Sequence, residues 1–123
     1  SINMIKDKIK DKEFKNTVEN IYKKYEEISR KITKLYYKYD KVDDPKTTNP
    51  ISKAMLWSGI EMNTLADTSD SKLAELLLNG TNMGIIEGRK IFNNKCSDIE
   101  VEDLIKEFIR MQEGSVEELK QYL

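Results

Sequence analysis

The chain has 123 residues, the size of one domain, and its composition is that of a helix-rich globular protein: 35% charged, 38% apolar, five glycines and two prolines. It contains no histidine and a single cysteine, which excludes hydrolases built on a histidine base, imidazole or thiolate metal centres, internal disulfides and Cys-x-x-Cys redox chemistry. The net charge is −1, but residues 1–41 carry twelve Lys or Arg against seven Asp or Glu, whereas residues 42–123 carry nine against fifteen.

At the start of the chain, Ile2, Ile5 and Ile9 form a short stripe that reads as a separate N-terminal helical segment followed by a bend near residues 10–12. From Phe14 the apolar residues step alternately by four and three, through Val18, Ile21, Tyr25, Ile28, Ile32, Leu35, Tyr39 and Val42. That is a heptad seam on one face of a first helix over about residues 12–42. Extended backwards, the register lands on Asp11 and Asp7, so the seam stops there. Lys24, Lys31 and Lys38 are placed on the opposite, water-facing side. Tyr22 and Tyr36 border the seam and Tyr37 looks outward, which makes these tyrosines and lysines a candidate interaction surface. A basic strip suits phosphates or anionic headgroups. The acidic residues interleaved with these lysines favour a different use, charge complementarity with an acidic helix of the same bundle.

Residues 43–49 lack apolar side chains and read as a loop. Asn49 followed by Pro50 is an N-cap with proline at the first helical position, opening a second helix over 50–66. Asp67, Thr68, Ser69 and Asp70 are four cap-forming residues that lead into a third helix over 70–93. That helix is apolar nearly all round (Leu73, Leu76, Leu77, Leu78, Met83, Ile85, Ile86, Ile91, Phe92), with a narrow polar line at Lys72, Glu75, Asn79 and Asn82. Such a pattern marks the most covered helix. It also carries Gly80, Gly84 and Gly88, each costing about 1 kcal/mol of helix propensity relative to alanine. The ridge therefore calls for close packing against a neighbouring helix, or a groove for a ligand or second subunit. Asn93 and Asn94 are suited to end this helix. Ser97 to Glu100 reads as a capping box for the last helix, over 98–122, whose seam is Val101, Leu104, Phe108, Met111, Ser115 and Tyr122. Gly114 interrupts it and suggests a kink.

Carboxylates are what remains for chemistry. Glu61 on the second helix and Glu87 on the third are candidates to point inward, where facing carboxylates could hold a hard cation or share a proton. A half-exposed glutamate paired with a cation is the plainer alternative. No phosphate-cradling glycine motif, metal-ligand set or cofactor motif is present. The absence of any run of eighteen apolar residues argues against a membrane-spanning helix, and the cysteine usage points to the cytoplasm.

The stretches Ile51-Ser-Lys-Ala-Met-Leu-Trp, Asp67-Thr-Ser-Asp-Ser-Lys-Leu-Ala-Glu, Asn82-Met-Gly-Ile and Gln112-Glu-Gly-Ser-Val-Glu-Glu-Leu-Lys-Gln-Tyr-Leu resemble uncharacterised ferritin-like four-helix proteins of anaerobic, spore-forming bacteria. The resemblance implies a ferritin-like topology without the di-iron site, because the hallmark Glu-x-x-His has no counterpart in a chain lacking histidine. The expectation is an all-α protein, an antiparallel four-helix bundle of ferritin-like type with a short extra N-terminal helical segment. Its expected role is non-enzymatic, through protein–protein interaction or self-association, with a homo-oligomer or a protein partner. The alternative is a small-ligand or hard-cation binding bundle using Glu61, Glu87 and the groove along Gly80, Gly84 and Gly88. A nucleic-acid partner ranks last on the slightly negative charge.

Overall fold

The computed structural model describes residues 2–39, 65–95 and 98–123. The second expected helix, 50–66, therefore lies outside the described residues except for Leu65 and Ala66, which are not helical. Among the described residues there are four helices and no strand: α1 (Ile2–Lys8), α2 (Lys12–Tyr39), α3 (Asp70–Lys95) and α4 (Ile99–Lys120).

The break between α1 and α2 follows from the sequence pattern. A helix turns about 100° per residue, so on a straight helix Ile2, Ile5 and Ile9 would point roughly 150° away from Phe14, Val18 and Ile21. Ile5 and Ile9 are nevertheless buried in the same core as that seam. Both stripes reach one core only if the chain turns between them, and it does so over Ile9–Asp11. The amides of the turn itself find partners. Ile9 N–H donates to the Lys6 carbonyl (3.3 Å). The Asp70 carboxylate accepts from Lys10 N–H (2.9 Å) and Asp11 N–H (2.8 Å), and Asp11 in turn caps α2 by accepting from Phe14 N–H (2.8 Å).

Helix directions follow from the paired contacts. Thr17, Lys24, Tyr25 and Lys31 of α2 meet Tyr122, Glu118, Gln112 and Glu107 respectively, so α2 and α4 are antiparallel. Thr81 and Gly88 of α3 meet Gln112 and then Phe108 with Ile109, so α3 is antiparallel to α4 as well. α2 and α3 thus start at the same end, where Asp70 joins them, and α4 lies against both. The core combines Phe14, Val18, Ile21, Tyr25, Ile28 and Ile32 with Leu73, Leu77, Leu104, Phe108, Ile109 and Leu119, among others. Tyr122 closes one end by stacking on Phe14 (centroids 4.6 Å apart), its hydroxyl 3.1 Å from that of Thr17.

Three expected boundaries shift, each for a local reason. α3 passes through Asn93 and Asn94 to Lys95; the Asn94 amide donates back to the Lys90 carbonyl (2.9 Å) and supports the last turn it was expected to end. The N-cap of α4 is Asp98 and not Ser97: its carboxylate accepts from Glu100 N–H (2.8 Å) and Val101 N–H (3.4 Å), placing a negative charge at the positive end of the helix. Asp98→Ala should cost about 1 kcal/mol in denaturant unfolding, whereas Asp98→Ser should retain most of that. Finally, α4 runs unbroken through Gly114, which faces open space. With nothing to clash against, Gly114→Ala should stabilise the protein by about 0.5–1 kcal/mol.

Candidate functional site

Among the described residues, polar side chains from three helices meet at one layer of the core, while the buried Ser115 hydroxyl donates to the Met111 carbonyl of its own helix (2.9 Å). Tyr25 of α2 is buried and its phenol donates to the Gln112 side-chain oxygen of α4. The other end of the same amide, Gln112 Nε2, donates to the Thr81 carbonyl of α3 (3.3 Å). Thr81 also stands within hydrogen-bonding reach of the phenol, while its hydroxyl donates to the Leu77 carbonyl (2.7 Å). One amide therefore ties α2 to α3 through α4. Burial pushes the Tyr25 phenol up from 10.0 to about 12, so at neutral pH it is a committed donor rather than an acid. Among the described residues every buried side-chain nitrogen or oxygen has a hydrogen-bond partner.

Sequence periodicity assigned Tyr25 to the seam and passed over Thr81 and Gln112. The seam expected for α4 runs through Met111, which is half-buried, whereas Gln112 is fully buried. The inward set Leu104, Phe108, Gln112, Ser115, Leu119 steps by four, four, three and four. A glutamine at a position one turn from both Phe108 and Ser115 was the available signal.

Gly80, Gly84 and Gly88 are all buried along α3. At Gly88 the partner is α4: a Cβ there would lie 3.3 Å from Ile109 Cγ1 and 3.3 and 3.4 Å from the Phe108 ring. Glycine at 88 lets the two helices approach, and the space beside it is filled by the protein's own side chains. Gly88→Leu has to displace them and should cost about 1–3 kcal/mol, read as a lower denaturant midpoint. Glu87, one position earlier, is partly buried and pairs with Lys90 (3.8 Å), while Glu61 lies outside the described residues. Among the described residues no group of three or more Asp, Glu or Cys is placed to hold a metal ion.

Lys24 and Lys31 do not face away from the seam. They occupy the heptad position immediately before Tyr25 and Ile32, and from that flank they reach the acidic α4: Lys24 to Glu118 (3.8 Å), Lys31 to Glu107 (3.1 Å) as well as to Glu27 of its own helix (3.9 Å). These exposed pairs contribute at most about 1 kcal/mol each. Their consequence is that part of the basic strip is matched within the molecule, as the charge interleaving suggests. Tyr22 packs partly buried against the core; the side chains of Tyr36, Tyr37 and Lys38 lie outside the described residues.

The third helix is covered on most sides in its first half: Leu73, Ala74, Leu76, Leu77, Leu78, Gly80 and Thr81 are all buried. Its exposed line continues past Glu75, Asn79 and Asn82 to Ile86, which is 55% exposed between Asn82 and Arg89. At the far end the cations of Arg89 and Lys106 each lie over the Phe92 ring, 5.6 Å from its centre.

No protein-family model matches this chain, and it has no significant match among curated proteins or solved structures. The ferritin-like resemblance rests on the sequence pattern alone. Among the described residues, no helix is long and apolar enough to cross a membrane.

Proposed function

We propose that this chain is a non-enzymatic helical-bundle protein that works through protein–protein interaction or self-association, on an antiparallel four-helix scaffold of ferritin-like topology, in the cytoplasm. The scaffold reading is supported by the directions of the described long helices: α2 and α3 start together and α4 runs against both, which leaves the up-down arrangement needing one further helix between α2 and α3.

The observation that carries the functional reading is the commitment of the interior polar groups to structure. Tyr25, Thr81 and Gln112 hydrogen-bond to one another or to helix backbone, and the partly buried Glu87 pairs with Lys90. Groups spent in this way hold helices together, and recognition falls to the outer surface, where Ile86 offers an apolar centre within a polar line on α3. Sedimentation velocity across a wide concentration range tests this, combined with recovery of bound partners from cell extract. A concentration-dependent mass or a stoichiometric partner is expected. A strict monomer that recovers no partner, together with a thermal shift on adding divalent cations, would instead establish the ligand-binding alternative.

A further inference from the structure

We propose that α1 is an exchangeable strap: it closes on its own bundle through the Ile9–Asp11 hinge, held by Asp70, and when released it docks in the same place on a second copy of this chain. The proposal rests on the self-association reading and specifies its partner and route.

Three observations carry it. The first is what α1 contributes to the fold. Ile5 of α1 is 0% exposed and Ile9, the first hinge residue, is buried beside the same core, so each copy contains a seat for these two side chains, and the segment that complements it best is an identical α1 with its hinge. The second is the hinge. Only Ile9, Lys10 and Asp11 separate two helices, and a connection this short leaves α1 little freedom to reach its own seat except through the one turn observed, so opening that turn frees α1 for another copy. In a straightened chain, α1 would continue α2 as one helix with its isoleucines roughly 150° from the α2 seam. They would face away from the chain's own core, where a second molecule is able to cover them.

The third observation is the latch. In a continuous helix, the amides of Lys10 and Asp11 would bond to the carbonyls of Lys6 and Asp7. In the closed chain both are taken instead by the carboxylate of Asp70, from the first turn of α3. Asp70 therefore stabilises the closed hinge and offers nothing to the straight one. Its other role, as a first-turn acid on α3, is shared with the separate capping of that helix by the Ser69 hydroxyl, which accepts from Lys72 N–H (3.3 Å). Loss of the Asp70 carboxylate thus acts mainly on the hinge.

The test uses the full chain and three proteins: the wild type, Asp70→Ala, and Asp70→Ala with a three-residue Gly-Ser-Gly insertion between Lys10 and Asp11. Light scattering after size exclusion gives the mass over a hundredfold concentration range, and hydrogen exchange gives the protection of each helix. Asp70→Ala is expected to raise the dimer association constant at least tenfold over wild type and, in dilute samples, to speed exchange in α1 at least tenfold while α3 and α4 keep their protection. The insertion, which lets α1 close again on its own chain, should return the variant to monomer. A dimer that forms equally in all three proteins would overturn the strap while leaving self-association through another surface intact. If all three stay monomeric at every concentration, the strap fails, and self-association fails with it. Equal loss of protection across α1, α3 and α4 in Asp70→Ala would also overturn it, since Asp70 would then support the whole fold and not the hinge.

Discussion

Replacing Phe108 with alanine is expected to lower the unfolding free energy by about 3–5 kcal/mol, the largest effect of any single truncation in the described core. Phe108 is almost wholly buried, meets Tyr25 of α2 edge-on (centroids 6.4 Å apart) and lies against Gly88 of α3. Truncation removes the transfer energy of the ring and leaves a cavity where three helices converge. Gly88 has no side chain with which to fill it, so collapse is limited and the upper half of the range is expected. A domain of this size is stable by about 5–15 kcal/mol in all, so the variant should sit close to the edge of folding at 37 °C. Phe108→Leu keeps most of the volume and should cost about 1 kcal/mol. Urea unfolding at constant m-value measures both; a cost below 1 kcal/mol for the alanine variant would show that Phe108 is not where the helices are joined.

The second large effect concerns the polar layer, and its size depends on whether one partner or both are removed. Gln112→Leu leaves the Tyr25 phenol buried without its acceptor, and should cost about 1–3 kcal/mol. Tyr25→Phe, which leaves the amide oxygen unpartnered instead, belongs in the same range. Removing both groups together should restore most of the loss, because two apolar groups of similar shape replace a satisfied pair at little net cost. The double-mutant cycle reads this coupling directly; additive losses would mean that the bond contributes nothing to the fold. The layer also has a pH signature. The folded state raises the Tyr25 pKa from 10.0 to about 12, so the folded protein holds this proton more tightly than the unfolded chain. Its contribution is complete below pH 10 and is lost as the pH rises towards 12, by roughly 3 kcal/mol at about 1.4 kcal/mol per unit. Between pH 10 and 12 the wild type should therefore lose more stability than Tyr25→Phe, and parallel alkaline titrations of the two would contradict this origin.

Several elements were legible from residue spacing. The four-and-three stepping from Phe14 to Leu35 located α2 and its inward face, and Phe14, Val18, Ile21, Tyr25, Ile28 and Ile32 are buried as that pattern requires. The separate stripe of Ile2, Ile5 and Ile9 located the turn before α2. These readings succeed because a helix repeats every 3.6 residues, so a buried face leaves a periodic trace in the chain whatever covers it. Helix ends were less legible. Asp98 replaced Ser97 as the cap and α3 ran past Asn93 because a carboxylate or an amide competes for the same few backbone groups, and one residue either way satisfies nearly the same rules. Gly114 suggests a kink because glycine weakens a helix, yet α4 continues through it, with Gln112 and Ser115 buried on either side.

The candidate sites divide along the same line. Glycine at 80, 84 and 88 announces a close approach without naming the neighbour; at Gly88 the fold supplies Phe108 and Ile109. Lys24 and Lys31 were assigned to the side facing water, and the fold placed acidic α4 residues beside them. Tyr25, Thr81 and Gln112 are 31 to 87 residues apart, and nothing in their local spacing relates one to another. The sequence by itself determined that this chain offers no histidine chemistry, which follows from which residues are present, and that it forms helices, which follows from how the apolar ones recur. Which helices touch, which polar groups meet in the interior and which amides Asp70 accepts were decided only in three dimensions, because hydrogen bonds and close packing depend on separation in space, and that is set by the packing of all the helices together.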